Sequence, residues 1–254
     1  MGILSIPNEL LLVIGEDLAI KDLFYFLLTR RRMSSLLTPR LHERGVQDVE
    51  DGLTALQWAA LHGKESLAIL AISRGAELNE PCRQRSGLTP LHLAAEQGHH
   101  GVIEILVKRG AEIDVRYDHA YTPLHLAAWY GQEEAIRVLL RLGADMMCVT
   151  PFGDAPAHFA VGNLKCLKAF IDAGFNPNTA RYNNRTILHD AVFYRSGMEI
   201  VEYLLEKTEA KASINTKDSR GETPLKLAED GAIARLLLRY GASPEMEVKR
   251  RNRP

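Results

Sequence analysis

An all-α chain built from stacked helix pairs is what this sequence predicts, and three observations predict it. A short block recurs six times at near-constant spacing. Each block opens with helix-start residues, and each is followed by a second apolar stretch of helical period. The block reads Thr89-Pro90-Leu91-His92-Leu93-Ala94-Ala95, repeats as Thr122-Pro123-Leu124-His125-Leu126-Ala127-Ala128, and returns as Thr223-Pro224-Leu225-Lys226-Leu227-Ala228. Weaker copies begin at Thr54, Ala155 and Thr186. The first positions 54, 89, 122, 155, 186 and 223 give steps of 35, 33, 33, 31 and 37 residues.

Each position has a structural job. Thr is a good N-cap, and Pro fits the first helical position, where its missing N–H costs nothing. Leu and the paired Ala residues let the first helix lie close to its neighbours. Past a short polar turn closed by Gly98, the residues Val102, Ile103, Ile105 and Leu106 recur at helical spacing. Gly110-Ala111 and Gly143-Ala144 are placed to end the second helix, because glycine tolerates the positive φ of a C-terminal cap.

A block of this wording at a period near 33 residues resembles the ankyrin-repeat family, over residues 47–244. The resemblance implies an α-solenoid of about six helix-pair units joined by short hairpin loops. One unit cannot bury its apolar face alone, so stability comes from stacking and the expected molecule is elongated.

The irregular copies predict where the loops differ. The first connector gains two residues between Asn79 and Gly87. In the fourth copy His158 lies 12 residues before Phe170, against 14 from His92 to Leu106, which puts a deletion at Val161-Gly162-Asn163. The fifth copy has a longer turn at Arg195-Ser196-Gly197 and an extended tail from Lys207 to Ser213. The sixth is shortened around Asp230-Gly231.

His92, His125, His158 and His189 follow the repeat, each at the same place on its own unit. The resemblance implies that this imidazole hydrogen-bonds backbone between adjacent repeats. Gln57 and Lys226 take its place in two copies, so the fold tolerates its replacement.

The first 45 residues differ. Ile6-Pro7-Asn8-Glu9-Leu10-Leu11-Leu12-Val13-Ile14 predicts a helix started by Pro7, with Leu10, Leu11 and Ile14 on one face. A second short helix is expected from Lys21 to Leu28, and a third from Arg32 to Leu37, ahead of Pro39. Three helices within about 35 residues are too few to bury a core unaided. Some apolar surface is left for the neighbouring repeat or for a partner.

The order Ile-Pro-x-Glu-Leu-Leu, then Asp22-Leu23 with Leu27, then Thr29-Arg30, resembles an F-box. Leu36-Leu37-Thr38-Pro39-Arg40-Leu41 is similar to fungal examples. The departures are Ile6 where Leu is usual, and Phe26-Leu27 in the second helix. The resemblance implies adaptor-binding residues Ile6, Pro7, Leu10, Leu11, Ile14, Leu23 and Leu27, with a Skp-family adaptor and a cullin as partners. The other reading is a helical cap for the repeat stack, which the direct junction at His42 to Val49 favours. The expected organisation is therefore 1–45 F-box-like, 47–244 repeats and 245–254 a basic tail.

Composition bounds the partners. With 31 basic and 32 acidic residues the net charge is −1, so no global field draws the chain to nucleic acid. Cys82, Cys148 and Cys166 are odd in number and lack metal spacing, which fits a reducing compartment. Glu9, Glu16 and Asp17 interrupt the first apolar run, so neither a signal peptide nor a membrane span is expected. Lys249-Arg250-Arg251-Asn252-Arg253 reads as a solubilising terminus, the other reading being a nuclear signal. The expected home is cytoplasmic and/or nuclear, and a monomer is expected before complex assembly. No phosphate loop, zinc spacing or nucleophile elbow occurs, so a non-catalytic binding protein without metal or cofactor is expected.

In ankyrin stacks the ligand surface is mostly the hairpin tips and the exposed end of each first helix. Carried onto this register, the target-binding residues are Arg85, His119, Tyr121, Trp129, Tyr130, Phe152, Tyr182, Arg185, Phe193 and Tyr194. Aromatic and Arg side chains most often anchor protein interfaces. Trp129-Tyr130 and Phe193-Tyr194 are expected at the centre, with Arg185 available for a target carboxylate. With units about 10 Å apart the two aromatic pairs would be about 20 Å apart, within one interface patch.

Overall fold

A computed structural model of the protein describes residues 53–82, 85–194 and 196–244. The F-box-like segment, with Ile6, Pro7, Leu10, Leu11, Ile14, Leu23 and Leu27, and the basic tail lie outside the described residues. The chain divides into two compact units between Asp145 and Met146.

In the first unit three helix pairs follow the three leading blocks. They are α1 (Ala55–His62) with α2 (Glu65–Ser73), α3 (Pro90–Gln97) with α4 (His100–Lys108), and α5 (Pro123–Trp129) with α6 (Glu133–Arg141). Helices α1, α3 and α5 pack in one row and α2, α4 and α6 in another. Leu56, Leu91, Leu93, Ile103, Leu106, Leu124, Ile136 and Leu139 are fully buried between them. The alanines Ala59, Ala60, Ala94, Ala95 and Ala127 are buried too, which is what close approach of the first helices requires. Gly98 takes φ 77° after α3, and a Cβ there would lie 2.4 Å from the Gln132 side-chain oxygen. That approach lets Gln132 Nε2 donate to the Glu96 carbonyl at 3.0 Å, tying the third repeat's turn to the second.

The second unit holds α7 (Pro156–Phe159) with α8 (Leu164–Asp172), α9 (Ile187–Phe193) with α10 (Met198–Lys207), and α11 (Pro224–Leu227) with α12 (Gly231–Arg239). The irregular loops fall where the spacing puts them. Helix α7 is a single turn continued by a 3₁₀ turn, Ala160–Gly162, and Asn163 caps α8 by accepting from the N–H groups of Lys165 and Cys166. Phe175 stands where other repeats carry Ala111, Ala144 and Ala242 after the glycine. It is buried, with its ring edge-on to His158 and Phe170, and fills space beside the shortened helix. The tail of the fifth copy forms a 3₁₀ helix, Glu209–Ser213, and Asp230 caps α12 through Ala232 N–H at 2.7 Å.

The repeat histidines are structural. His92 Nδ1 accepts from Thr89 N–H at 3.3 Å, leaving Nε2–H to donate to the Tyr121 carbonyl at 3.2 Å. His189 does the same with Thr186 N–H at 3.2 Å and the Thr216 carbonyl at 3.0 Å. His125 and His158 accept from the N–H groups of Thr122 and Ala155, both at 3.1 Å. Burial of the neutral ring pushes His92 down to about 4 and lowers His189 as well.

Among the described residues there is no strand, and isolated bridges join Tyr117 with Tyr121 and Ala180 with Thr186. None of the described helices is long and apolar enough to cross a membrane.

Candidate functional site

The hairpin before α5 presents the first aromatic group. Tyr117 N–H donates to the Tyr121 carbonyl at 3.0 Å, closing a loop whose tip is the 3₁₀ turn Asp118–Ala120. Ala120 holds φ 60°, two residues before the cap Thr, where the other hairpins carry Gly87, Gly153, Asn184 and Gly221. A Cβ in the left-handed region costs about 1 kcal/mol or more. Replacing Ala120 by Gly should therefore stabilise the chain by about 0.5 kcal/mol, after allowing for glycine's freer unfolded state. A thermal unfolding midpoint that drops instead would show the hairpin is unstrained.

From this hairpin the rings climb onto the end of α5. Tyr117 sits 5.0 Å from His92, Tyr121 lies 6.0 Å from Tyr117, and Tyr121 meets Trp129 edge-to-face at 6.1 Å. Tyr121 is half-buried and buttresses the indole, while Trp129 is 57% exposed and Tyr130 is 54% exposed. Burial raises the Tyr117 phenol above its ordinary range, followed by the influence of Tyr130, Tyr121, Asp118 and Glu96. The register rule applied to the sequence missed Tyr117, because it took only the tip residues; its aromatic character one step before the tip was the available signal. His119 is exposed at the tip with φ 53°, 3.7 Å from Asp118. Arg85 is exposed, 3.8 Å from Glu96.

The second unit carries its own aromatics. Phe152 and Tyr182 stand on neighbouring hairpins, 66% and 73% exposed. Gly153 takes φ 81°, and a Cβ there would come within 2.5 Å of Tyr182 N, so only glycine lets the two hairpins approach this closely. Phe193 and Tyr194 are exposed and touch edge-to-face at 5.2 Å, at the end of α9.

Arg185 corrects the sequence expectation. It is buried, with Nε 3.0 Å from Asp218 Oδ2 and its guanidinium 4.6 Å over the Phe193 ring. Burial alone would raise Asp218, yet the Glu222 N–H and the Arg185 guanidinium hold it below the ordinary carboxylate range. The charge is already spent inside the repeat stack, so Arg185 supports Phe193 and is not available for a target carboxylate.

Beneath this surface lies an ionic group that periodicity did not suggest. Asp190 occupies the block position held by Leu93, Leu126 and Leu227, and it is fully buried. Arg181 Nη2 lies 2.9 Å from Asp190 Oδ2 and Arg181 Nε 2.7 Å from Asp154 Oδ1. The contact with Asp190 is close enough for an ion pair but misses the direction of a good hydrogen bond, since neither Asp190 oxygen accepts one among the described residues. Burial accordingly outweighs the attraction of Arg181 and Arg185, and the Asp190 carboxyl is pushed up to about 7.

Among the described residues no group of three or more His, Cys, Asp or Glu side chains could hold a metal ion. Cys82, Cys148 and Cys166 are buried thiols, none of them in a disulfide.

The helix pairs, the capping histidines and the hairpins define a helical-repeat binding protein. A family model described as ankyrin repeats (three copies) matches residues 22–117, 80–150, 124–218 and 157–248, and the chain belongs to the ankyrin-repeat family. No curated protein matches it. Ankyrin repeats are protein–protein interaction modules, generally without catalysis of their own.

Proposed function

We propose that the chain is a substrate-recognition subunit of an SCF-type ubiquitin ligase. In this reading residues 1–45 hold a Skp-family adaptor, and through it a cullin, while the repeats hold a protein target in the cytoplasm or nucleus. The observation that carries the target half is the set of exposed rings. Trp129, Tyr130, Phe152, Tyr182, Phe193 and Tyr194 are each about half exposed or more, at the hairpin tips and first-helix ends of their units. Large aromatic side chains left in water at such positions are what a protein interface uses as anchors. The adaptor half rests on the Ile6-Pro7…Leu10-Leu11 wording alone.

A second reading has an observation of its own. The ankyrin match begins at residue 22, inside the F-box-like segment, which favours repeat-like sequence there and a role as cap. The chain is then a non-degradative scaffold or inhibitor.

Co-elution of the purified full chain with a Skp-family adaptor separates the two. Under the first reading the complex forms, and Pro7→Ala with Leu10→Ala abolishes it while the circular dichroism of the repeats is kept. Adaptor binding that survives the double change removes those residues from the contact, and no complex with the unaltered chain favours the scaffold. For the target half, Trp129→Ala and Tyr194→Ala should each weaken target capture by about 2 kcal/mol or more. Capture unchanged by both would end the assignment of these rings as anchors.

A further inference from the structure

We propose that the Trp129–Tyr130 surface of the first unit takes an arginine side chain of the target, its guanidinium stacking on the Trp129 indole with its charge facing the carboxylates of Glu96 and Asp118. This rests on the reading of the aromatics as the target surface, and adds the chemistry of what docks there.

The chain holds a guanidinium on a ring at the same register in its fifth repeat, there with a carboxylate from the repeat that follows. Trp129 stands seven residues after its cap Thr122, and Phe193 stands seven after Thr186. There the Arg185 guanidinium lies 4.6 Å over the Phe193 ring while its Nε reaches Asp218 at 3.0 Å. A ring at that register, joined with a carboxylate from a neighbouring repeat, thus holds a guanidinium in this protein. In the third repeat the residue matching Arg185 is Tyr121, whose ring backs the indole instead.

The charges near Trp129 complement a cation. Glu96 occupies the register position of Trp129 one repeat earlier, and Asp118 stands on the hairpin that leads into α5. Glu96 already draws a cation: its side chain is 13% exposed, its Oε1 accepts from Gln97 Nε2 at 3.1 Å, and Arg85 approaches the same oxygen to 3.8 Å, too long for a hydrogen bond. The field of both carboxylates reaches the cluster, since Asp118 and Glu96 add to burial, Tyr130 and Tyr121 in raising the Tyr117 phenol. Trp is the ring that attracts cations most strongly, and the planar, weakly hydrated guanidinium is the cation that stacks best.

The test uses the full chain with Trp58→Phe, which leaves Trp129 as its one indole, since the sequence has two tryptophans. Trp129 emission is followed during titration with N-acetyl-arginine amide and, separately, N-acetyl-citrulline amide, which has nearly the same shape without the charge. Saturable binding of the arginine amide is expected, about tenfold tighter than the citrulline amide, a ratio within the range of a cation–aromatic contact aided by a carboxylate. Glu96→Gln with Asp118→Asn should abolish most of that ratio. Equal affinity for the two amides, no saturation with either, or a ratio untouched by the carboxylate changes would each overturn the proposal. The rings could then still be apolar anchors, and loss of target capture on Trp129→Ala would show that they are.

Discussion

Replacing Arg181 by Ala should destabilise the second unit by about 3–5 kcal/mol, the range found when one partner of a buried ion pair is removed. Arg181 lies between Asp154 and Asp190, both buried, so above pH 7, where Asp190 is ionised, its loss leaves two buried carboxylates without their shared cation. Denaturant unfolding measures the change, and a loss below about 1 kcal/mol would show that the group carries little. Removing the need for the charge should rescue the variant. Asp190→Leu restores the leucine that three sister blocks carry, and an apolar replacement of a buried ionic group is often neutral or stabilising. The pH dependence identifies Asp190 separately. Its carboxyl is held at about 7 against an ordinary 3.8, so the folded chain binds an extra proton between those values. The associated stability is full below about pH 4 and is lost as pH rises through 7. Asp190→Leu should flatten that slope, and an unchanged slope would assign the proton elsewhere.

This group also shows how far the fold and site were legible. The six helix pairs follow from a block whose caps, small residues and glycine stops act locally, so they can be read one residue at a time. Loop irregularities were equally plain, because a change in spacing must be absorbed where the chain is free to bulge, as at Asn163. The exposure of Trp129 or Tyr182 followed from register. What register could not show is pairing between repeats. Arg185 has the same residue type whether it faces solvent or Asp218, and only the neighbouring repeat decides. The Arg181–Asp154 contact escaped for the same reason, since it joins two repeats, whereas Tyr117 stood one step outside the tip positions that register selects. The first 45 residues carry sequence resemblance only.

Replacing His92 by Gln should leave stability within about 1 kcal/mol of the original at pH 7.5 and make the chain more resistant to acid. The first repeat provides the precedent. Gln57 Oε1 accepts from Thr54 N–H at 3.0 Å and Gln57 Nε2 donates to the Glu80 carbonyl at 3.0 Å, the two bonds that His92 makes with Thr89 and Tyr121. Glutamine thus keeps the cap and cannot titrate. Histidine can, and burial holds it at about 4 against an ordinary 6.5, with His125 nearby adding to the depression. The unfolded chain therefore binds the extra proton between pH 6.5 and 4, so His92's contribution is full above 6.5 and is lost as pH falls through that window. Each pH unit of that window is worth up to 1.36 kcal/mol, so between pH 7.5 and 5 the balance should move toward the Gln variant by about 2 kcal/mol. Asp190 titrates in the opposite direction over much of the same range, which would hide the effect in a single pH scan of the original chain. The difference between the two chains cancels Asp190, because both carry it. If that difference is the same at pH 7.5 and pH 5, the His92 ring is not held neutral by the fold.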